Sequence, residues 1–335
     1  MCTKKSLLLM IILAMLIVLF IGASFADAKY VFRFGHNQAA STYVNVAAEV
    51  FVKNVAERTN GEVEIQLFPA GQLGDERSIG EAVQIGTIDM IWGDASTFGQ
   101  YVPEFKGLGG GYLFRDREHL EKFIKSSLMD ELTDKILKNM GVKVLSYHYS
   151  GERHLTTTNK PVYHPKDLKE LLIRVPQLEN YMVTWEALGA SITGIAFQEV
   201  YMALKTGVAD GEENPIPLIY SMKFHEVQKY LMLTGHMFQI GIYGINEKNF
   251  NNLPEEYQKI IVEEGAKMGD LAAEEVIKQT EELLPEIKKY MEIIEVDKAE
   301  WVKAAQEGGM DEWFTKQLGS ELYKKIIKAL FINSK

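Results

Sequence analysis

Residues 171–207 read LLIRVPQLENYMVTWEALGASITGIAFQEVYMALKTG, and their reading decides the fold. Leu171, Leu172, Ile173 and Val175 spell a short buried strand, stopped by Pro176. Leu178 to Leu188 carries a helical pattern that ends at Gly189. Ile192 to Ile195 is a second strand, and Phe197 to Lys205 a second helix closed by Gly207. Strands alternating with helices of this length predict an α/β fold, with parallel sheets and helices on both faces. One residue resists the pattern. Arg174 lies inside the first strand, and arginine is almost never fully buried unless it is paired. Its partner is either an internal carboxylate or something the protein binds.

The same grammar extends upstream. Tyr30 to Phe34 and the alternating Val63, Ile65 and Leu67 predict strands, as does IDMIW at 88–92. Ser41 or Thr42 can cap a helix with Val44, Ala47, Phe51 and Val55 on its buried face, and Asp75 can cap another. Asp116 opens a longer helix that closes near Gly141, followed by a strand, VKVLSYH, and then HLTTT as another. Two such runs, broken around Ser150 and Gly151, predict two α/β lobes. After Pro254 a helical pattern of roughly 30 residues at about 1.5 Å per residue is long enough to brace both. Helices at Trp301 to Ala305 and Trp313 to Phe331 close the chain.

The N-terminus reads as a signal peptide, with an uncleaved membrane anchor as the alternative. Lys4 and Lys5 precede an apolar run from Leu7 to Gly22, and Ala26-Asp27-Ala28 offers a small-x-small cleavage site. Removing residues 1–28 leaves 307 residues, takes away two lysines and one aspartate, and moves the formal net charge from −10 to −11. The only cysteine, Cys2, goes with the segment, so disulfides, thiolate metal sites and a cysteine nucleophile are excluded. An acidic surface argues against nucleic-acid partners, which require phosphate neutralisation. A periplasmic location is the simplest reading.

No sequence feature names a reaction. G-x-S-x-G and P-loop motifs are absent. GLGGGYL (107–113) lacks the last glycine of a dinucleotide fingerprint and reads as a flexible or tightly packed segment. HEVQK (225–229) has lysine where a zinc pair needs its second histidine. Asp210, Glu212 and Glu213 cluster without EF-hand spacing. No metal or cofactor is expected. What remains is a set of polar groups near strand ends, where α/β sheets collect ligands. Arg153 and Arg174 offer paired N–H donors that match a carboxylate. Asn214 adds an amide.

FRFGHN, NGEVEIQLFPAGQLGDERS, GTIDMIW, YLFRD, LLIRVPQ and AFQEVYMALKTGVADGEENP together resemble, in order, segments of the DctP-type solute-binding subunits of TRAP transporters (tripartite ATP-independent periplasmic transporters). The resemblance implies a two-lobed periplasmic binding protein fold with a hinge. It places 29–150 plus about 237–280 in lobe I, and 151–236 plus about 281–335 in lobe II. It also implies that Arg174 clamps a ligand carboxylate with Arg153 and Asn214 beside it, and that Phe197 packs over the ligand. Asn37 and Asp94 would contact the rest of the ligand, and Glu213, Gln239 and His236 are further contacts on position alone. The implied ligand is a small organic acid, a C4-dicarboxylate or sugar acid, and the implied partners are a small and a large membrane subunit serving a monomer. A binding protein of an ATP-driven importer and a periplasmic enzyme acting on a small carboxylate are the alternatives. Two departures stand out. Gly111 occupies a position where many relatives have proline. Ser41 and Thr42 occupy a stretch where many sugar-acid binders carry histidine, which weakens the case for a uronate ligand.

Overall fold

The computed structural model describes residues 28–328; most of the signal-like segment and the last seven residues lie outside that range. Among the described residues nine strands form one mixed sheet: β1 Tyr30–Gly35, β2 Val63–Phe68, β3 Met90–Asp94, β4 Val142–Thr157, β5 Leu172–Val175, β6 Ser191–Gly194, β7 Gly211–Pro215, β8 Tyr230–Asn246 and β9 Glu292–Ile294. Their order is β2-β1-β3-β8-β4-β7-β5-β6, with β9 also on β8.

The expected parallel pairing holds within each half. β2, β1 and β3 are parallel, as are β7, β5 and β6. It fails at the centre, where β3–β8, β8–β4 and β4–β7 are antiparallel. VKVLSYH and HLTTT are not separate strands but one 16-residue strand, β4. The break read at Ser150 and Gly151 is a bulge within it, between Tyr149 and Glu152, where Gly151 takes φ 104°. β4 and the 17-residue β8 therefore run through both halves of the sheet.

Helix capping largely follows the sequence. Asp75 accepts from the Ser78 N–H at 2.7 Å and Asp116 from the His119 N–H at 2.8 Å. The helix opened by Asp116 is nonetheless two helices, Arg117–Ile124 and Ser127–Met140. Its C-terminal counterpart is likewise divided at Gly319. The long helix spans Glu255–Ile287. Ile260, Ile261, Met268, Ala272 and Val276 pack into the core of the first half, beside Val44, Phe51 and Val55. Its last residue, Ile287, packs with Leu204, Ile219 and Phe224 in the second, so it does brace both. Buried Glu264 ties it to the helix Tyr43–Arg58, accepting from Arg58 at 2.7 Å and Asn54 at 2.8 Å. Among the described residues no helix is long and apolar enough to cross a membrane.

Candidate ligand-binding site

A cavity of about 310 Å³ opens between the two halves of the sheet, at the small end of the range for small-molecule sites. Seven of the nine candidate residues line it: Asn37, Asp94, Arg153, Arg174, Phe197, Asn214 and Gln239. Glu213 and His236 do not. They are fully buried behind Arg153, where they form a second layer.

Arg174 is held on β5 with only 2% of its surface exposed. Its Nε and Nη2 both donate to the Ile195 carbonyl, at 2.9 and 2.6 Å. Phe197 presents its ring 6.0 Å from the guanidinium carbon. Nη1 is buried and has no hydrogen-bond partner. Burial pushes the Arg174 pKa down to about 10, partly offset by Glu213 and Glu212, so the group stays charged at neutral pH. A buried, charged donor without an acceptor costs several kcal/mol unless an anion meets it.

Arg153 is a different kind of arginine. Its Nε meets Glu213 Oε2 at 2.6 Å and its Nη2 meets Glu213 Oε1 at 2.8 Å, a bidentate pair. Nη2 also donates to Asn214 Oδ1 at 3.0 Å, and the guanidinium lies 4.9 Å from the Tyr181 ring centre. Burial opposes its charge, but Glu213 more than compensates and raises its pKa. Burial alone would raise the Glu213 carboxyl, yet Arg153 and His236 hold it below its ordinary value. His236 Nε2 donates to Glu213 Oε2 at 2.9 Å and its Nδ1 meets the Thr234 hydroxyl at 2.9 Å. Only Nη1 of Arg153 is loosely held, 3.4 Å from Gln239 Oε1. Asn214 donates to Glu212 at 2.5 Å, and burial pushes the Glu212 carboxyl up to about 7. Asp210, the third acid of that run, accepts from the Leu172 N–H at 2.8 Å. The three carboxylates thus serve different partners.

Asp94 caps the helix Ala95–Phe98 and accepts four hydrogen bonds, two on each oxygen. Oδ1 takes the Ser96 and Thr97 N–H groups at 2.8 and 3.2 Å. Oδ2 takes the Tyr181 hydroxyl at 2.5 Å and the Gln239 amide at 3.1 Å. Tyr181 belongs to the helix Glu179–Ala187, so this bond crosses from one half to the other. Lys106 to Glu179 at 2.9 Å and Asn180 to the Gly109 carbonyl at 2.6 Å cross alongside it. The Gly-rich segment makes that approach possible: a Cβ on Gly111 would sit 2.3 Å from Thr184 Cγ2, and one on Gly110 2.4 Å from Phe314 Cε1. It is a close-packing segment.

Sequence reasoning missed Glu76 and Tyr181, which line the same cavity. Glu76 accepts from the Asp94 N–H at 3.0 Å, from the Thr97 hydroxyl, and from Asn37 Nδ2 at 3.2 Å. Burial and the Asp94 carboxylate push it up to about 7. Its position beside a capping aspartate looks like ordinary helix-start chemistry, so no sequence signal marks it. Tyr181 had one: a tyrosine in the first turn of a helix that follows the Arg174 strand directly.

Several buried groups tie stability to pH. Burial depresses His36, His119, His148 and His154 to about 4. Their stabilisation is complete above pH 6.5, their unfolded value, and drains away as pH falls toward 4. Glu76 and Glu212 act oppositely: raised to about 7, they favour the folded state below pH 4.5 and lose that contribution as pH rises through 7. The histidines prevail. We expect unfolding free energy to fall between pH 7 and pH 5. Urea denaturation at both values checks this, and equal or greater stability at pH 5 would contradict it.

Two half-sheets joined by long strands, with a charged cavity between them, define a two-lobed solute-binding protein. A family model for bacterial extracellular solute-binding proteins, family 7 (DctP), matches residues 34–316, and the chain belongs to that family. The 2,3-diketo-L-gulonate-binding periplasmic protein YiaO of Escherichia coli is 33% identical over 77% of this chain and 78% of its own length. A TRAP periplasmic solute-binding protein from Polaromonas, solved with D-erythronate, superposes with a TM-score of 0.84 at 30% identity, covering 89% of this chain and 98% of that one. Another from Sulfurospirillum deleyianum, solved with succinate, gives 0.84 at 29% identity, covering 90% and 99%. These relatives are solute-binding proteins.

Proposed function

We propose that this chain is the extracytoplasmic solute-binding subunit of a TRAP-type transporter and captures a small organic acid through Arg174. The observation that carries this reading is the Arg174 Nη1 group, buried at the cavity wall with no acceptor. A carboxylate there would accept from Arg174 Nη1, from the loosely held Nη1 of Arg153 and from the Asn214 side of the cavity. Phe197 would cover its apolar face. Residues 1–28 direct export to the periplasm and are removed. The lobes, 29–150 plus about 237–280 and 151–236 plus about 281–335, move about the bulge at Gly151 and the adjoining stretch of β8. Closure brings Asp94 and Tyr181 together and dries the ion pair. The closed monomer then delivers its acid to a small and a large membrane subunit driven by an ion gradient.

A thermal-shift screen of small carboxylic acids tests the reading. An acid present at 100 times its dissociation constant stabilises the protein by about 2.7 kcal/mol. We expect at least one hydroxy, keto or dicarboxylic acid to do so, and the corresponding alcohols and amides to have no effect. A protein stabilised equally by a neutral analogue does not use a carboxylate clamp.

A further inference from the structure

The bulge in β4 has a neighbour that the carboxylate clamp does not use. His148 is buried and lies directly before Tyr149, where the bulge begins. An indole N–H can only donate, so the 3.0 Å contact from Trp92 Nε1 to His148 Nε2 makes Nε2 an acceptor. The ring proton then sits on Nδ1, which donates to the Tyr149 carbonyl at 3.0 Å. Burial pulls the ring's pKa down to about 4, so it stays neutral and Nε2 stays able to accept at neutral pH. Tyr243 stacks on the imidazole at 5.2 Å and Tyr43 meets it edge-on at 6.2 Å. The Tyr43 hydroxyl in turn donates to the Ser150 carbonyl at 2.8 Å, inside the bulge. At the other end, Trp92 lines the cavity. The bond between the two rings passes over Gly241, which pairs with His148 on one side and Asp94 on the other. A Cβ there would lie 2.2 Å from His148 Nε2 and 2.8 Å from Trp92 Nε1, so the bond requires glycine.

We infer that His148 is a positioning residue of the cavity: by accepting the Trp92 N–H it keeps that donor turned away from the ligand and links the Trp92 wall to the bulge about which the halves bend. The inference rests on the reading that an acid is captured by closure at Gly151, and adds a route by which bending reaches the cavity. Both ring nitrogens of His148 are spent, one toward the bulge and one toward the wall. The imidazole is also packed between Tyr243 and Tyr43. When the Tyr149 carbonyl moves, the ring cannot turn freely, and the indole follows it or loses its acceptor. Losing it has a cost. The indole N–H would be left buried and unpaired, as those of Trp185 and Trp301 are, or it would swing round and add a donor to the wall that meets the ligand.

Nuclear magnetic resonance of the indole N–H groups, in ligand-free protein labelled at tryptophan, tests this. Trp92→Phe assigns the Trp92 signal among the four tryptophans of the chain. Its proton should resonate downfield, as a bond to a ring nitrogen requires. His148→Phe keeps an aromatic ring in place and removes the acceptor, and should move the signal upfield. His148→Gln supplies an acceptor again and should bring it most of the way back, which packing alone would not do. The coupling is read from the bulge. Gly151→Ala must disturb it, because Gly151 has φ 104° and a Cβ there would lie 2.8 Å from Pro215 Cβ. Tyr43→Phe loosens it by deleting one hydroxyl, and serves if the first variant does not fold. Either should shift the Trp92 signal while His148 is present and leave it in place in the His148→Phe background. A Trp92 signal unmoved by His148→Phe overturns the inference. So does one that ignores the bulge variants, or one that they shift equally without His148. No acid is needed for these signals, so failure of the carboxylic acid screen counts against the clamp, and an unmoved Trp92 signal counts against His148.

Discussion

Replacing Arg174 by methionine is expected to weaken acid binding by about 2–5 kcal/mol, roughly thirty-fold to several thousand-fold, while leaving the ligand-free protein at least as stable as before. The two halves of this expectation have one cause. Without ligand, the guanidinium is almost fully buried, shares one carbonyl between two of its nitrogens and leaves the third unpartnered. Removing such a charge relieves desolvation, and well-packed apolar replacements of buried ions are often neutral or stabilising. With ligand, the same group provides the charged donor for the carboxylate, and its loss leaves the anion in a dry site with Arg153 alone. Arg153 cannot substitute, because Glu213 already neutralises it. Calorimetry gives the affinity and urea denaturation the stability. A variant that binds normally contradicts the clamp. A variant clearly less stable without ligand means that Arg174 is a structural residue, held for packing rather than for an anion.

How much of this was legible depends on the range of the interactions. Periodicity and capping are local, so β1, β2, β5 and the helix started by Asp75 stand where the sequence puts them. Pairing direction is not local. Nothing within VKVLSYH or HLTTT says that they continue into each other across Gly151. β8 carries no clear strand signal in the sequence, since Gly235, Gly241 and Gly244 interrupt its apolar pattern. Those glycines answer to other strands: a Cβ on Gly241 would lie 2.2 Å from His148 Nε2, and one on Gly244 2.6 Å from Val142 Cγ1. The site divides in the same way. Arg174 announces itself because a charge inside an apolar strand violates a local rule. Whether Glu213 faces the cavity or the interior is settled by its strand partner: it is paired in register with Leu155 on β4, and sequence position carries no such information.

Glu213 also sets the second large effect. Glu213→Ala is expected to destabilise the ligand-free protein by about 3–5 kcal/mol, a fall in melting temperature on the order of 10 °C for a chain of this size. The carboxylate is fully buried and holds Arg153 through both oxygens, while His236 donates to one of them. Deleting it strands a guanidinium and a ring N–H in the interior with no acceptor of comparable strength. If Glu213 instead touched the ligand, its removal would lower affinity and leave the apo protein nearly unaffected, so melting curves without ligand separate the two roles. A cycle with Arg153→Met sharpens the measurement. Once the arginine is gone, Glu213→Ala should cost far less, because the charge it neutralised is no longer there, and the coupling between the two substitutions should reach the 0.5–3 kcal/mol range of contacting pairs or about that. Additive losses would mean that Arg153 draws its compensation from elsewhere. Coupled losses would mean that this pair is a fixed pedestal, which keeps one arginine neutralised so that the other alone has a charge left for the ligand.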